Sequence, residues 1–122
     1  MNKRFYDNDG QPLAHGDVFV NIMTGDACVL DTKFSPQPTM VSLYDCSKKP
    51  FNAELAKECK KECRISEIRS ESSSLFRILK SYGKEDNCKT VCEWFVAQTK
   101  DLERRKRVSA KQPKVMSDGV ER

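Results

Sequence analysis

Two Cys-x-x-x-Cys pairs, Cys59/Cys63 and Cys88/Cys92, have the residue types and spacing best suited to chemistry in this chain. On a helix, an i,i+4 pair projects both sulfurs from one face, a turn apart. Four such thiols can hold a structural zinc ion, close two inter-helix disulfides, or act as small buried hydrophobes on an apolar seam. The ligand count suits zinc, although zinc knuckles more often space their ligands Cys-x2-Cys. Disulfides would require an oxidising compartment. All three readings stay open, and in each of them Cys59, Cys63, Cys88 and Cys92 are structural rather than catalytic. Cys28 and Cys46 either add another pair or remain free.

The other candidate sites are weaker. His15 is the single histidine, so a Cys–His nucleophile pair would have to use it. Its setting, Ala14-His15-Gly16-Asp17, predicts an exposed loop residue instead. Asp7-Asn8-Asp9-Gly10 has part of a calcium-loop pattern, but aligning it on Gly10 puts Gly16 where the bidentate glutamate belongs, so it reads as a turn. No glycine-rich phosphate loop is present, and no two carboxylates stand out as an acid and base. A non-enzymatic protein is expected, with no cofactor unless zinc is bound.

Charge singles out the C-terminus. The net charge is +4, and residues 100–122 carry eight cations against four acids, so the whole excess lies there. Arg104, Arg105, Lys106 and Arg107 form a run that Lys111 and Lys114 continue. These six residues are the candidate partner-binding or nucleic-acid-binding group. One reading places the cations at a helix C-terminus, where the dipole favours them by ~0.3–1 kcal/mol each. The other has them contact phosphates through a segment that orders on binding. No aromatic residues interleave with the run, so a stacking platform for single strands is not expected.

These residues need elements to hold them. The chain has 122 residues, 38% hydrophobic and 33% charged, enough for one small domain and a tail. Residues 5–16 read as a turn-rich entry. Asp17 to Met23 and Ala27 to Thr32 read as a hairpin around Thr24-Gly25-Asp26, and Met40 to Tyr44 as a third strand. Asp45 to Pro50 reads as a break. Asn52 is placed to cap a helix reaching about Arg64, with Ile65 to Arg69 ambiguous. A short helix from Leu75 to Tyr82 should stop at Gly83. A longer one, capped by Asp86 or Asn87, should run to about Arg107 on an apolar stripe of Cys88, Val91, Cys92, Phe95 and Leu102. Strands first and helices second predict an α+β fold: a small antiparallel sheet, then two or three helices, then a disordered basic tail. The expected organisation is one domain over 1–107, β-rich at 5–46 and helical at 52–107, with a flexible tail over 108–122.

Three resemblances bear on function. The twin Cys-x3-Cys pairs resemble those of the small chaperones of the mitochondrial intermembrane space, whose helical hairpin is closed by two disulfides. The interval from Cys63 to Cys88 holds 24 residues here, longer than in that family, and the family has no β-rich N-terminal half. The β half resembles short Gly-Asp-turn barrels that accompany nucleic-acid or polymerase machinery. The stretch from Phe5 to Val18 is similar to the openings of small phage-encoded proteins.

No apolar leader opens the chain and no stretch reaches the ~18–20 apolar residues of a membrane span, so a cytoplasmic protein is expected, in host cytoplasm if phage-encoded. The expected function is that of a small accessory or regulatory protein acting on a larger protein or nucleoprotein machine through its basic C-terminal end. The alternatives are a zinc-supported nucleic-acid-binding protein and a disulfide-stabilised helical scaffold.

Overall fold

The computed structural model describes residues 4–69 and 73–111, with side chains through Lys106. Its order is strands then helices, the α+β arrangement expected. A two-stranded ribbon, β1 (Phe5–Tyr6) with β2 (Pro12–Leu13), precedes a five-stranded antiparallel sheet. The sheet contains β3 (Asp17–Asn21), β4 (Ala27–Asp31), β5 (Thr39–Ser42), β6 (Lys48–Pro50) and β7 (Cys59–Arg64), in the order β6-β5-β4-β3-β7. The first four of these strands form a meander. β7 returns from the far side to pair with β3, so β6 and β7 are the two edges.

β4 is central and all five of its residues are buried, which explains why Ala27-Cys28-Val29-Leu30 is continuously apolar rather than alternating. One face of the sheet presents Phe19, Cys28 and Leu30 to the ribbon and to the segment after β6. There Phe51 packs between Phe5 and Phe19, with ring centroids 5.0 and 5.1 Å away. Each such side chain contributes about 2 kcal/mol by leaving water. The opposite face presents Val18, Val29 and Val41, all buried.

Asp31 ends β4. Its Oδ1 accepts the Lys33 and Phe34 N–H groups and its Oδ2 accepts the Ser35 hydroxyl, organising the proline-containing loop that follows.

Three helices follow the expected order with different bounds. α1 (Ala53–Ala56) is capped as predicted, Asn52 Oδ1 accepting the Leu55 N–H at 2.8 Å. It lasts one turn and does not reach Arg64; the chain from Cys59 onward is strand. Both edge strands were missed. Lys48-Lys49-Pro50, read as a break, is β6, and Cys59 to Arg64, read as helix, is β7. Charged residues and proline are common on edges, where they discourage pairing with another chain. A 3₁₀ turn at Ile65–Glu67 settles the ambiguous segment.

α2 (Ser74–Ser81) starts from a Ser73 cap and stops at Gly83, whose φ of +71° suits glycine. α3 (Glu85–Lys111) begins before the expected caps and continues four residues past Arg107. Asn87 does not cap it; its Nδ2 donates to the Tyr44 carbonyl.

The chain divides into two compact units, Met1–Cys92 and Glu93–Arg122, with the boundary inside α3. Most of the segment expected to be a flexible tail, 112–122, lies outside the described residues. Among the described residues no helix is long and apolar enough to cross a membrane.

Candidate functional site

The four paired cysteines do not share one surface. Cys59 and Cys63 lie on β7, where an interval of four would also keep them on one face of a regular ladder. A bulge changes this. Cys59 pairs with Asn21 and Lys61 with Phe19, but Cys63 pairs with Val18, leaving Glu62 as the extra residue. Asn21 and Val18 point to opposite faces of β3, so Cys59 and Cys63 do too. Cys59 enters the Phe19 core, and its thiol donates to the Leu55 carbonyl at 3.1 Å. Cys63 lies on the other face, where it interacts with Cys88 and Cys92 near the start of α3.

The structure thus puts Cys63 on the side of the sheet where it feels Cys88 and Cys92, and places Cys59 across the sheet. Among the described residues no three His, Cys, Asp or Glu side chains are arranged to hold a metal ion. All six cysteines are free thiols. The two pairs do not form a helical hairpin that disulfides could close, because the first pair is on a strand. Burial raises the Cys59 and Cys63 thiols to about 11, and nearby acids add to the shift. Cys88 is raised as well, first by its hydrogen bond with Cys92 and then by burial. Thiols held this way are poor nucleophiles near neutral pH.

His15 is not the exposed loop residue expected. Its side chain is 13% exposed and lies edge-on to Phe34, with centroids 4.6 Å apart. Nδ1 accepts the Thr32 N–H at 3.0 Å and sits 3.7 Å from Asp31 Oδ1. Burial lowers its pKa against the pull of Asp31. It is a neutral structural imidazole.

The Asp7 turn is a clamp and not a cation site. Its carboxylate accepts the N–H groups of Asp9, Gln11 and, from β7, Lys61, at 2.8–2.9 Å. Burial works against ionisation, but these three bonds and the Lys61 cation prevail and lower its pKa. Asp17 does similar work, accepting the Ala14 N–H and Arg64 Nη1, each at 2.8 Å. Gly16 permits this: its φ is +89°, and a Cβ there would stand 3.0 Å from the Arg64 guanidinium.

The basic run is positioned by the length of α3. Arg104 and Arg105 are 72% and 75% exposed, and both turn towards a single acid, Asp101, at 3.9 and 2.8 Å. Lys106 is also exposed. Arg107 and Lys111 belong to the helix, and positions 104, 107 and 111 share one helical face. Lys114 lies outside the described residues.

Because α3 continues to Lys111, the run from Arg104 to Arg107 precedes the final turn. The helix dipole acts mainly within that last turn, so it does not account for the cluster. Upstream on the predicted stripe, Cys88, Val91, Cys92 and Phe95 are buried and Leu102 is half-buried; Val96, off the stripe, is exposed.

Sequence reasoning missed a cleft of about 830 Å³ at one end of the sheet, floored by Met40 and Leu55 over the buried Phe19 and Cys28 and rimmed by Tyr44 and Tyr82. Its walls come from positions 19 to 84, so no local spacing announces it. Comparison of the chain with known protein families, characterised proteins and solved structures returned no match.

Proposed function

We propose that this is a small non-enzymatic binding module that docks on the acidic surface of a larger protein or nucleoprotein assembly through the basic end of α3. The observation that carries this reading is the exposed Arg104-Arg105-Lys106 run. It stands before the last helical turn and has only Asp101 as an acidic partner on its own helix among the described residues. A helix that merely needed its dipole complemented would place its cations at the very end. Counterion release makes such contacts strongly salt-dependent, because each neutralised phosphate frees a bound cation.

The test is fluorescence anisotropy of the full chain with a duplex DNA probe, and separately with heparin as a polyanion, from 50 to 200 mM salt. Four phosphate contacts would weaken duplex binding roughly a hundredfold over that range. Replacing Arg104, Arg105, Lys106 and Arg107 with alanine should abolish it. Tight duplex binding identifies a nucleoprotein partner, and heparin binding alone an acidic protein. Failure to bind either probe, salt-independent binding, or full binding by a chain truncated after residue 99 overturns the reading.

A further inference from the structure

The cleft at the end of the sheet has the lining of a ligand site and plays no part in the reading based on α3. At about 830 Å³ it falls within the ~300–1,000 Å³ range of small-molecule pockets. The half-buried Met40 and Leu55 make an apolar floor, backed from beneath by the buried Phe19 and Cys28. Two phenol rings, Tyr44 and Tyr82, stand at the rim with centroids 6.5 Å apart and planes tilted by 57°. Tyr82 is 66% exposed although aromatic, and Tyr44 is held in its neutral phenol form by burial and by neighbouring acidic groups.

Four charges line the opening, and the protein treats them unequally. Asp26 accepts the Ser42 hydroxyl at 3.1 Å, and Glu58 accepts the Asn21 side-chain amide at 3.4 Å. Lys49 and Lys84 have no ion pair within 4 Å and no side-chain hydrogen bond among the described residues. The Lys49 charge nevertheless reaches the floor, acting on the Cys28 thiol to oppose its upward shift. The acids are occupied and the ammonium groups are available, above a surface that favours a flat apolar body.

We propose that this cleft binds a small amphipathic anion, its aromatic or aliphatic body lying on Met40 and Leu55 beside the tyrosines and its carboxylate, sulfonate or phosphate held by Lys49 and Lys84. A neutral ligand of the same shape would gain the burial but not the charge pairing, so the two lysines set the selectivity. The occupant is distinct from anything recruited by α3, and the two sites can be tested separately.

The experiment is a fluorescence titration of the full chain at neutral pH with two probes of similar size: anionic 8-anilinonaphthalene-1-sulfonate and neutral N-phenyl-1-naphthylamine. The expected result is saturable one-site binding, with the anion about tenfold tighter. Replacing Lys49 and Lys84 together with alanine should erase that preference while circular dichroism stays unchanged. Met40→Trp, which fills the floor, should weaken both probes about tenfold. Alanine at Arg104, Arg105, Lys106 and Arg107 should leave both affinities as they were. The proposal is overturned by absence of saturable binding, by equal affinity for the two probes, by a preference that survives loss of both lysines, or by loss of probe binding in the α3 variant.

Discussion

His15 shows how one side chain ties stability to pH. It is neutral in the fold because burial lowers its pKa and because Nδ1 accepts the Thr32 N–H. In the unfolded chain it binds a proton below about 6.5. The unfolded state therefore holds more protons as pH falls, and the stability His15 contributes, complete above about 6.5, is lost as pH drops through its folded value. His15→Asn keeps an acceptor for Thr32 without the titration. Urea midpoints of the variant should be flat between pH 5 and 7, where those of the native chain decline; parallel curves would assign the slope to other groups. Cys46 offers a second test. Its φ of 66° is the conformation of a glycine, and its thiol makes only a long contact, 3.8 Å, to the Asn87 carbonyl. Cys46→Gly should stabilise the fold by about 1 kcal/mol in urea denaturation, since the strain it relieves is of that order. A loss of stability would show that the sulfur contact outweighs the strain.

Among the elements, β7 shows most clearly what a sequence displays and what it hides. The β3–β4 hairpin, the Asn52 cap and the stop at Gly83 were all legible, because each depends on neighbours in the chain. β7 was not. An interval of four suits a helical face and a strand face equally, and the choice was made by β3, whose edge needed a partner. β6 was hidden for the same reason: Lys48-Lys49-Pro50 has no apolar alternation, and its strand character comes from pairing with β5. Of the candidate sites, the basic run was visible as composition, whereas the cleft, with residues drawn from five elements and the loops between them, was not. The bulge gives a prediction for this edge. Removing Glu62 leaves Lys61 opposite Phe19 and Cys63 opposite Val18 in a regular ladder, so the deletion should cost no more than about 1 kcal/mol. Removing Lys61 makes an equally regular ladder but brings Glu62 beside the buried Asp17 in place of the ammonium now 3.5 Å away. That deletion should cost roughly 2 kcal/mol more, from a lost partner and a like charge. Equal thermal midpoints for the two deletions would show that the Asp17 surroundings contribute little.

For the whole molecule, two compact units with a boundary inside one helix predict uneven protection. The amides of β3 and β4, paired on both sides and buried, should exchange only on global unfolding. Amides of α3 beyond Cys92 should exchange earlier by mass-spectrometric hydrogen exchange, and uniform protection would argue for a single cooperative unit. The thiols provide a second global readout. Alkylation of native protein near pH 7.5, followed by mass measurement, should label half-exposed Cys46 first and the buried Cys28, Cys59 and Cys88 last. Unfolding without reductant should raise the count to six. Fewer than six labels would show that some sulfurs are paired in the isolated protein.

The bulge on β7 also separates spelling from distance. Written as a string, Cys59 and Cys63 are four apart, and shortening the segment by Glu62 would leave them three apart, the spelling of a zinc knuckle. In the ladder both versions deliver their sulfurs to opposite sides of the same sheet, because the extra residue makes an even interval behave as an odd one. A pattern search that counts letters would therefore promote the shortened chain to a metal-binding candidate although no sulfur had moved closer to another.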